Sequence, residues 1–191
     1  MIYLVTGYMR SGTSMMMQCL VAGGLDPVYD PRREHMNETY GDEHYKPNAK
    51  GFYEPSYMEY RKFGFPKMYD GKLMKILRGG VPTLAVADYL VILMRRDPEE
   101  IRQSYEAFFG GSADMVILNN YEERLANSEE MIRNRRDMSL TCLDYRSVVD
   151  DPRPAFETLH GNGWPIDVDA AAAEVDPTQC RFRLEQLEVG I

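Results

Sequence analysis

Apolar residues in this chain fall into short dense runs separated by polar, glycine-bearing stretches, and the length and spacing of each run predict its element. Ile2, Tyr3, Leu4 and Val5 are consecutive and predict a strand over 2–6. Met15, Met16, Met17, Cys19 and Leu20 then predict a buried helix over 13–23. Further apolar runs predict strands at about 73–77 and 89–95, with a helical turn led by Pro82 between them. Pro98, followed by Glu99 and Glu100, suits a helix start, since proline fits the first turn and carboxylates suit its positive end. That helix is expected over 98–109, ending at Gly110-Gly111. Met115, Leu118, Tyr121, Leu125, Met131 and Ile132 recur at helical spacing and predict a helix over about 113–136. A strand at 139–145 and helices near 146–161 and 168–175 complete the pattern. Apolar strands alternating with helices imply an α/β fold, a central parallel sheet covered by helices on both faces.

One stretch breaks the rhythm. Residues 25–71 are too polar for a core and carry Arg32, Arg33, His35, His44, Lys46, Lys50 and a high density of tyrosine. So long an irregular stretch within a compact domain is usually functional or disordered, and its aromatic content argues against disorder.

Composition narrows the class. The chain has 191 residues, enough for one domain that buries about 70% of its unfolded surface. No apolar stretch is long enough for a membrane helix. The chain opens directly on a strand, so no leader or stalk is expected. The three cysteines, Cys19, Cys142 and Cys180, are widely spaced and read as reduced thiols, so a cytoplasmic location is expected. The net charge is −8, with the acidic excess in residues 103–191 and no lysine after Lys75. An acidic second half argues against a nucleic-acid footprint. Basic residues gather in the first half.

That half holds the chemistry. Gly7-Tyr8-Met9-Arg10-Ser11-Gly12-Thr13-Ser14 joins the first strand to the first helix. Strand, glycine-bracketed loop and helix is the layout that aims backbone N–H groups and a helix N-terminus at an anion. The Gly-x-x-x-x-Gly spacing matches the phosphate loop of nucleotide hydrolases, but Thr13 stands where their lysine does. The lysine that reaches the β- and γ-phosphates is therefore missing, and the nearest cation is Arg10. A second anion motif follows in Arg95-Arg96-Asp97-Pro98, with Ser104 eight residues after Arg96 and two turns into the helix. Arginine can grip phosphate bidentately, and the serine hydroxyl adds a directional donor.

The loop GYMRSGTS closely resembles the 5′-phosphosulfate loop of the sulfotransferases, which use 3′-phosphoadenosine 5′-phosphosulfate (PAPS). Arginine before Ser-Gly-Thr is similar to the bacterial and tyrosylprotein branches. An arginine at a strand end with a serine eight residues later resembles the family's 3′-phosphate site. Leu143 to Pro152 looks like its late strand and turn, and Gly163-Trp164-Pro165 like its ending, so the resemblance runs from Ile2 to about Pro165. It implies a three-layer α/β/α fold of the phosphate-loop hydrolase type, forming a single domain over 1–191 with 25–71 as its acceptor-binding lobe. It also implies transfer of a sulfuryl group from PAPS to a hydroxyl or amine on a small-molecule or glycan acceptor, releasing 3′,5′-ADP. No metal, nucleic-acid or membrane partner is implied.

By the same resemblance Gly7, Arg10, Ser11, Gly12, Thr13, Ser14, Arg96 and Ser104 are the donor-binding residues. Lys75, in Leu-Met-Lys-Ile-Leu, is the cation at the leaving oxygen, assisted by Arg10. A lysine in an apolar strand needs an anionic partner or an exit to solvent. Where the cytosolic branch has its catalytic histidine this chain has Leu77. The base expected instead is Glu54, in Gly51-Phe52-Tyr53-Glu54, with His35 and His44 as rivals. Two other readings stand beside this one: a small phosphate-loop kinase, and a non-catalytic nucleotide- or glycan-binding relative. Trp164 is expected to pack rather than to stack adenine.

Overall fold

The computed structural model describes residues 1–31, 51, 53–55, 65–109, 118–180 and 182. Among the described residues five strands form one sheet: β1 (Ile2–Gly7), β2 (Asp26–Val28), β3 (Lys72–Lys75), β4 (Tyr89–Arg95) and β5 (Met138–Asp144). Their order across the sheet is β2-β3-β1-β4-β5, and every pairing is parallel. The helices are α1 (Thr13–Ala22), the short α2 (Phe65–Met68), α3 (Pro98–Phe109), α4 (Tyr121–Asn134), α5 (Tyr145–Asp150), α6 (Pro152–Gly161) and α7 (Val168–Ala173). This is the expected three-layer α/β/α arrangement.

Alternation along the strands builds two apolar layers, because successive side chains leave a strand on opposite faces. Val5, Leu73, Leu90, Ile92 and Met94 face one way, against Met16, Met17 and Leu20 of α1 and Phe156 and Leu159 of α6. Ile2, Leu4, Met74 and Val91 face the other way, with Ile132 of α4. Trp164 lies in the first layer, 1% exposed, with its ring 5.3 Å from that of Tyr3. It packs, as expected. The run Tyr89–Met94 is buried throughout, as a strand covered on both faces must be.

Local chemistry sets the helix limits. Asp97 starts α3, its Oδ1 accepting from the Glu99 N–H at 2.8 Å while Pro98 occupies the first helical position. At the other end of α1, the Gly23 N–H donates to the Cys19 carbonyl, and the Gly23 carbonyl accepts from Asp167 beside α7.

Two expectations are corrected. The region expected to be irregular from residue 25 begins with β2, whose three residues pair with Lys72–Met74 at the sheet edge. Pro27 hides this strand in the sequence, yet an edge position tolerates proline. The helix expected over 146–161 is two helices, and Tyr145, expected in the strand, starts the first. Asp151 (φ −144°, ψ 91°) is extended between them, as the residue before a proline tends to be. The five positions 113–117 of the expected helix over 113–136 lie outside the described residues.

Candidate active site

The carboxyl ends of β1, β3 and β4 deliver the functional residues to one edge of the sheet. From β1 the chain runs through α1 to β2 on one side, whereas β4 leads to β5 on the other. The crevice above β1 and β4 is therefore a topological switch point, the usual ligand position in an open parallel sheet. The glycine loop leaves β1 there, and Arg96 follows β4 directly.

The loop is compact. Ser11 donates twice to the Tyr8 carbonyl, from its N–H at 3.2 Å and from Oγ at 2.8 Å. The Ser11 hydroxyl is thus turned inward. Arg10 (φ 68°) and Gly12 (φ 93°) both adopt the left-handed region, which is costly for arginine and natural for glycine. Gly12 is also sterically required, since a Cβ there would overlap the ring of Tyr145. No side chain caps α1 at Gly12, and the first-turn amide groups of a helix have no partner within it. Beneath the loop, the Tyr8 ring lies tilted against Tyr121, centroids 4.6 Å apart, and carries the Arg78 guanidinium 4.4 Å from its centroid. Among the described residues, neither the Thr6 nor the Tyr8 hydroxyl has a hydrogen-bond partner, although both are buried.

On the β4 side, Arg10 Nε donates to Ser104 Oγ at 3.0 Å, and the Arg10 guanidinium lies 5.3 Å from the Phe108 ring centroid. Arg96 Nη1 donates to the Arg10 carbonyl at 3.0 Å, and Nη2 to the Phe182 carbonyl at 3.2 Å. The two anion motifs of the sequence are thus in direct contact. Arg95, by contrast, turns away to pair with Glu129.

Lys75 stands on the β3 side. It is 3% exposed and level with Val5 of β1. Its Nζ donates to Ser14 Oγ at 3.0 Å and pairs with Glu54 Oε1 at 3.2 Å. The anionic partner that a buried lysine requires is therefore the carboxylate expected to act as base. Glu54 reaches it because the Asp30 N–H donates to the Glu54 carbonyl at 2.9 Å, fastening 53–55 beside the end of β2. Gly51 (φ 107°) and Tyr53 (φ 53°) are both left-handed, and Tyr53 packs on the core with its ring edge-on to Tyr29. A left-handed tyrosine persists where its surroundings fix it. His35 and His44 lie outside the described residues, as do Arg32, Arg33, Lys46 and Lys50.

Two residues missed in the sequence complete the site. Tyr145 packs against Gly12 and holds the Arg96 guanidinium 4.2 Å from its ring centroid. Burial pushes its phenol well above the ordinary tyrosine range. Glu100, 2% exposed, accepts from Arg96 Nε at 3.0 Å and lies 3.7 Å from Arg146. The spacing of Arg96 and Glu100, one helical turn apart, was the available signal; nothing in the sequence ties Tyr145 to Gly12. Arg10, Arg96, Lys75, Ser14 and Ser104 supply cations and N–H or O–H donors, a set suited to a multiply charged anion.

In comparison with known proteins, the chain matches no family model and no curated protein. Among the described residues, no helix is long and apolar enough to cross a membrane.

Proposed function

We propose that this protein is a PAPS-dependent sulfotransferase with a phosphate-loop fold, acting on a hydroxyl or amine of a small-molecule or glycan acceptor in the cytoplasm. The observation that carries the reading is the convergence of both anion motifs on one loop. Arg10 bonds Ser104, and Arg96 bonds the Arg10 carbonyl. At the other end of that loop, Ser14 bonds a lysine paired with a carboxylate. A 5′-phosphosulfate fits the Gly7–Ser14 loop and the amides of α1, and a 3′-phosphate fits Arg96 and Ser104. The donor set present therefore suits PAPS.

PAPS supplies the sulfuryl group: its bond to the 5′-phosphate oxygen breaks as a bond to the acceptor oxygen or nitrogen forms, and 3′,5′-ADP leaves. Glu54, 3.2 Å from Lys75 Nζ, takes the acceptor proton. Lys75 is the cation for charge gathering on the departing oxygen, held ready by Ser14; Arg10, proposed from the sequence as the second, has its side chain on Ser104 at the 3′-phosphate side. Residues 25–71 contribute the acceptor lobe, with Tyr29 and Tyr53 beside the base. Thr13 in place of the loop lysine speaks against transfer from ATP.

Sulfur-labelled PAPS incubated with the purified protein and a panel of sugar, phenol, lipid and amine acceptors tests this. Labelled product without added magnesium, together with 3′,5′-ADP release, is expected. Magnesium-dependent ATP turnover, abolished by Gly12→Val, would instead make the protein a kinase. Tight 3′,5′-ADP binding without transfer to any acceptor would leave the non-catalytic reading.

A further inference from the structure

Glu100 is a buried carboxylate that the transfer chemistry does not use, and it lies between two arginines. One oxygen accepts from Arg96 Nε at 3.0 Å and the other lies 3.7 Å from Arg146. Burying a carboxylate is costly, and removing one partner of such a pair strands the other charge. A neutral side chain would fill the same space at lower cost. What the carboxylate does provide is direction: with Nε fixed on Glu100, the planar guanidinium has one orientation. Its Nη1 then meets the Arg10 carbonyl, its Nη2 meets the Phe182 carbonyl, and its face lies on Tyr145. Tyr145 in turn fills the space beside Gly12.

We propose that Glu100 is a positioning residue of the donor site: it turns the Arg96 guanidinium to the orientation that receives the 3′-phosphate. The proposal rests on the sulfotransferase reading for the identity of the ligand. Its sign is distinctive. A carboxylate beside an anion site repels the anion, so on charge alone Glu100→Gln would tighten nucleotide binding. Positioning requires the opposite. Arginine has five N–H donors in a rigid fork, and those not used within the protein match phosphate oxygens only while the fork is correctly turned.

Titration calorimetry with 3′,5′-ADP and 5′-AMP on the full-length protein tests this, read as the ratio of the two dissociation constants. The native protein must first prefer 3′,5′-ADP; if it shows no preference, the 3′-phosphate assignment itself fails, before any variant is compared. Given that preference, Glu100→Gln is expected to reduce the ratio about tenfold while binding of 5′-AMP changes little. A ratio unchanged or increased in folded Glu100→Gln overturns the proposal. Glu100→Asp keeps the charge and withdraws it by one methylene, and it serves as the test where the glutamine variant does not fold. A reduced ratio supports positioning, whereas a native ratio means that charge alone matters and overturns it.

Discussion

Arg10 and Ser104, 94 residues apart in the chain, are joined by a hydrogen bond of 3.0 Å from Nε to Oγ. One belongs to the loop after β1 and the other to the second turn of α3, so the bond links the two stretches that separately read as anion sites. It is part-buried, and such bonds to a charged group contribute more than bonds between neutral groups. The 3′-phosphate of a bound donor would share or replace this contact, since both groups are donors to an anion. The left-handed backbone at Arg10, supported by Arg96 on its carbonyl, turns the side chain toward α3.

Ser104→Ala removes one hydroxyl from that arrangement without leaving a buried charge unpaired, and so probes the nucleotide site more cleanly than Arg96→Ala, which would strand Glu100. The affinity for 3′,5′-ADP is expected to fall about tenfold, or ~1.4 kcal/mol, while that for 5′-AMP stays level. Calorimetry on both nucleotides checks it, and an equal loss for the two would remove Ser104 from the 3′-phosphate site.

Gly12→Ala places a methyl group against the Tyr145 ring at a backbone angle that favours glycine. Overpacking of this kind costs about 1–3 kcal/mol, and the displaced ring supports Arg96. Lower thermal stability and loss of nucleotide binding are both expected. Gly79→Ala is the control, because a Cβ there meets nothing within 4 Å. Its melting temperature and binding should match the native protein.

Much of this was legible in the sequence wherever the signal was local. The strand 89–95 and the helix 98–109 have the expected limits because a wholly apolar run ends at charged residues and a proline follows. Lys75 was marked by its apolar neighbours alone as a lysine needing an anion or an exit to solvent. Long-range features were hidden. Nothing near Glu54 announces Lys75, since the pair forms through the fastening of 53–55 to Asp30. Tyr145 reads as one more strand residue until the fold brings its ring to Gly12 and Arg96. Pro27 disguised β2, and Asp151 before Pro152 interrupted what reads as one helix.

Stability against acid should depend on Asp137. Its carboxylate is held below the ordinary aspartate value, chiefly by hydrogen bonding from Arg135, with a further bond from the Ala87 N–H. A lowered folded-state value means that the unfolded chain binds the proton more readily. The stabilisation is therefore complete above the unfolded value near 3.8 and is lost as pH falls through the lower folded value. Glu99, held near 2 by Arg102, follows the same sign. Asp137→Asn is expected to lower the melting temperature at pH 7 and to shallow its decline below about pH 4. Melting curves across pH 2–7 measure this; parallel acid limbs in the two proteins would show that Asp137 contributes nothing there.

The base is tested through the pair it forms with Lys75. Glu54→Gln keeps the shape of the side chain and an oxygen able to accept from Lys75, but it cannot take a proton from the acceptor. Transfer from PAPS is expected to slow by roughly 10²–10⁴, the usual contribution of a positioned general base. Affinity for 3′,5′-ADP should change little, because Arg96 and Ser104 are untouched. The salt bridge is lost while Lys75 keeps its bond to Ser14, so a modest fall in melting temperature is expected. His35→Gln and His44→Gln are the controls, and a histidine base would reverse the pattern. Parental rates in Glu54→Gln with an efficient acceptor would restrict Glu54 to holding Lys75. The proton would then pass to one of those histidines, or leave an acceptor acidic enough to need no base.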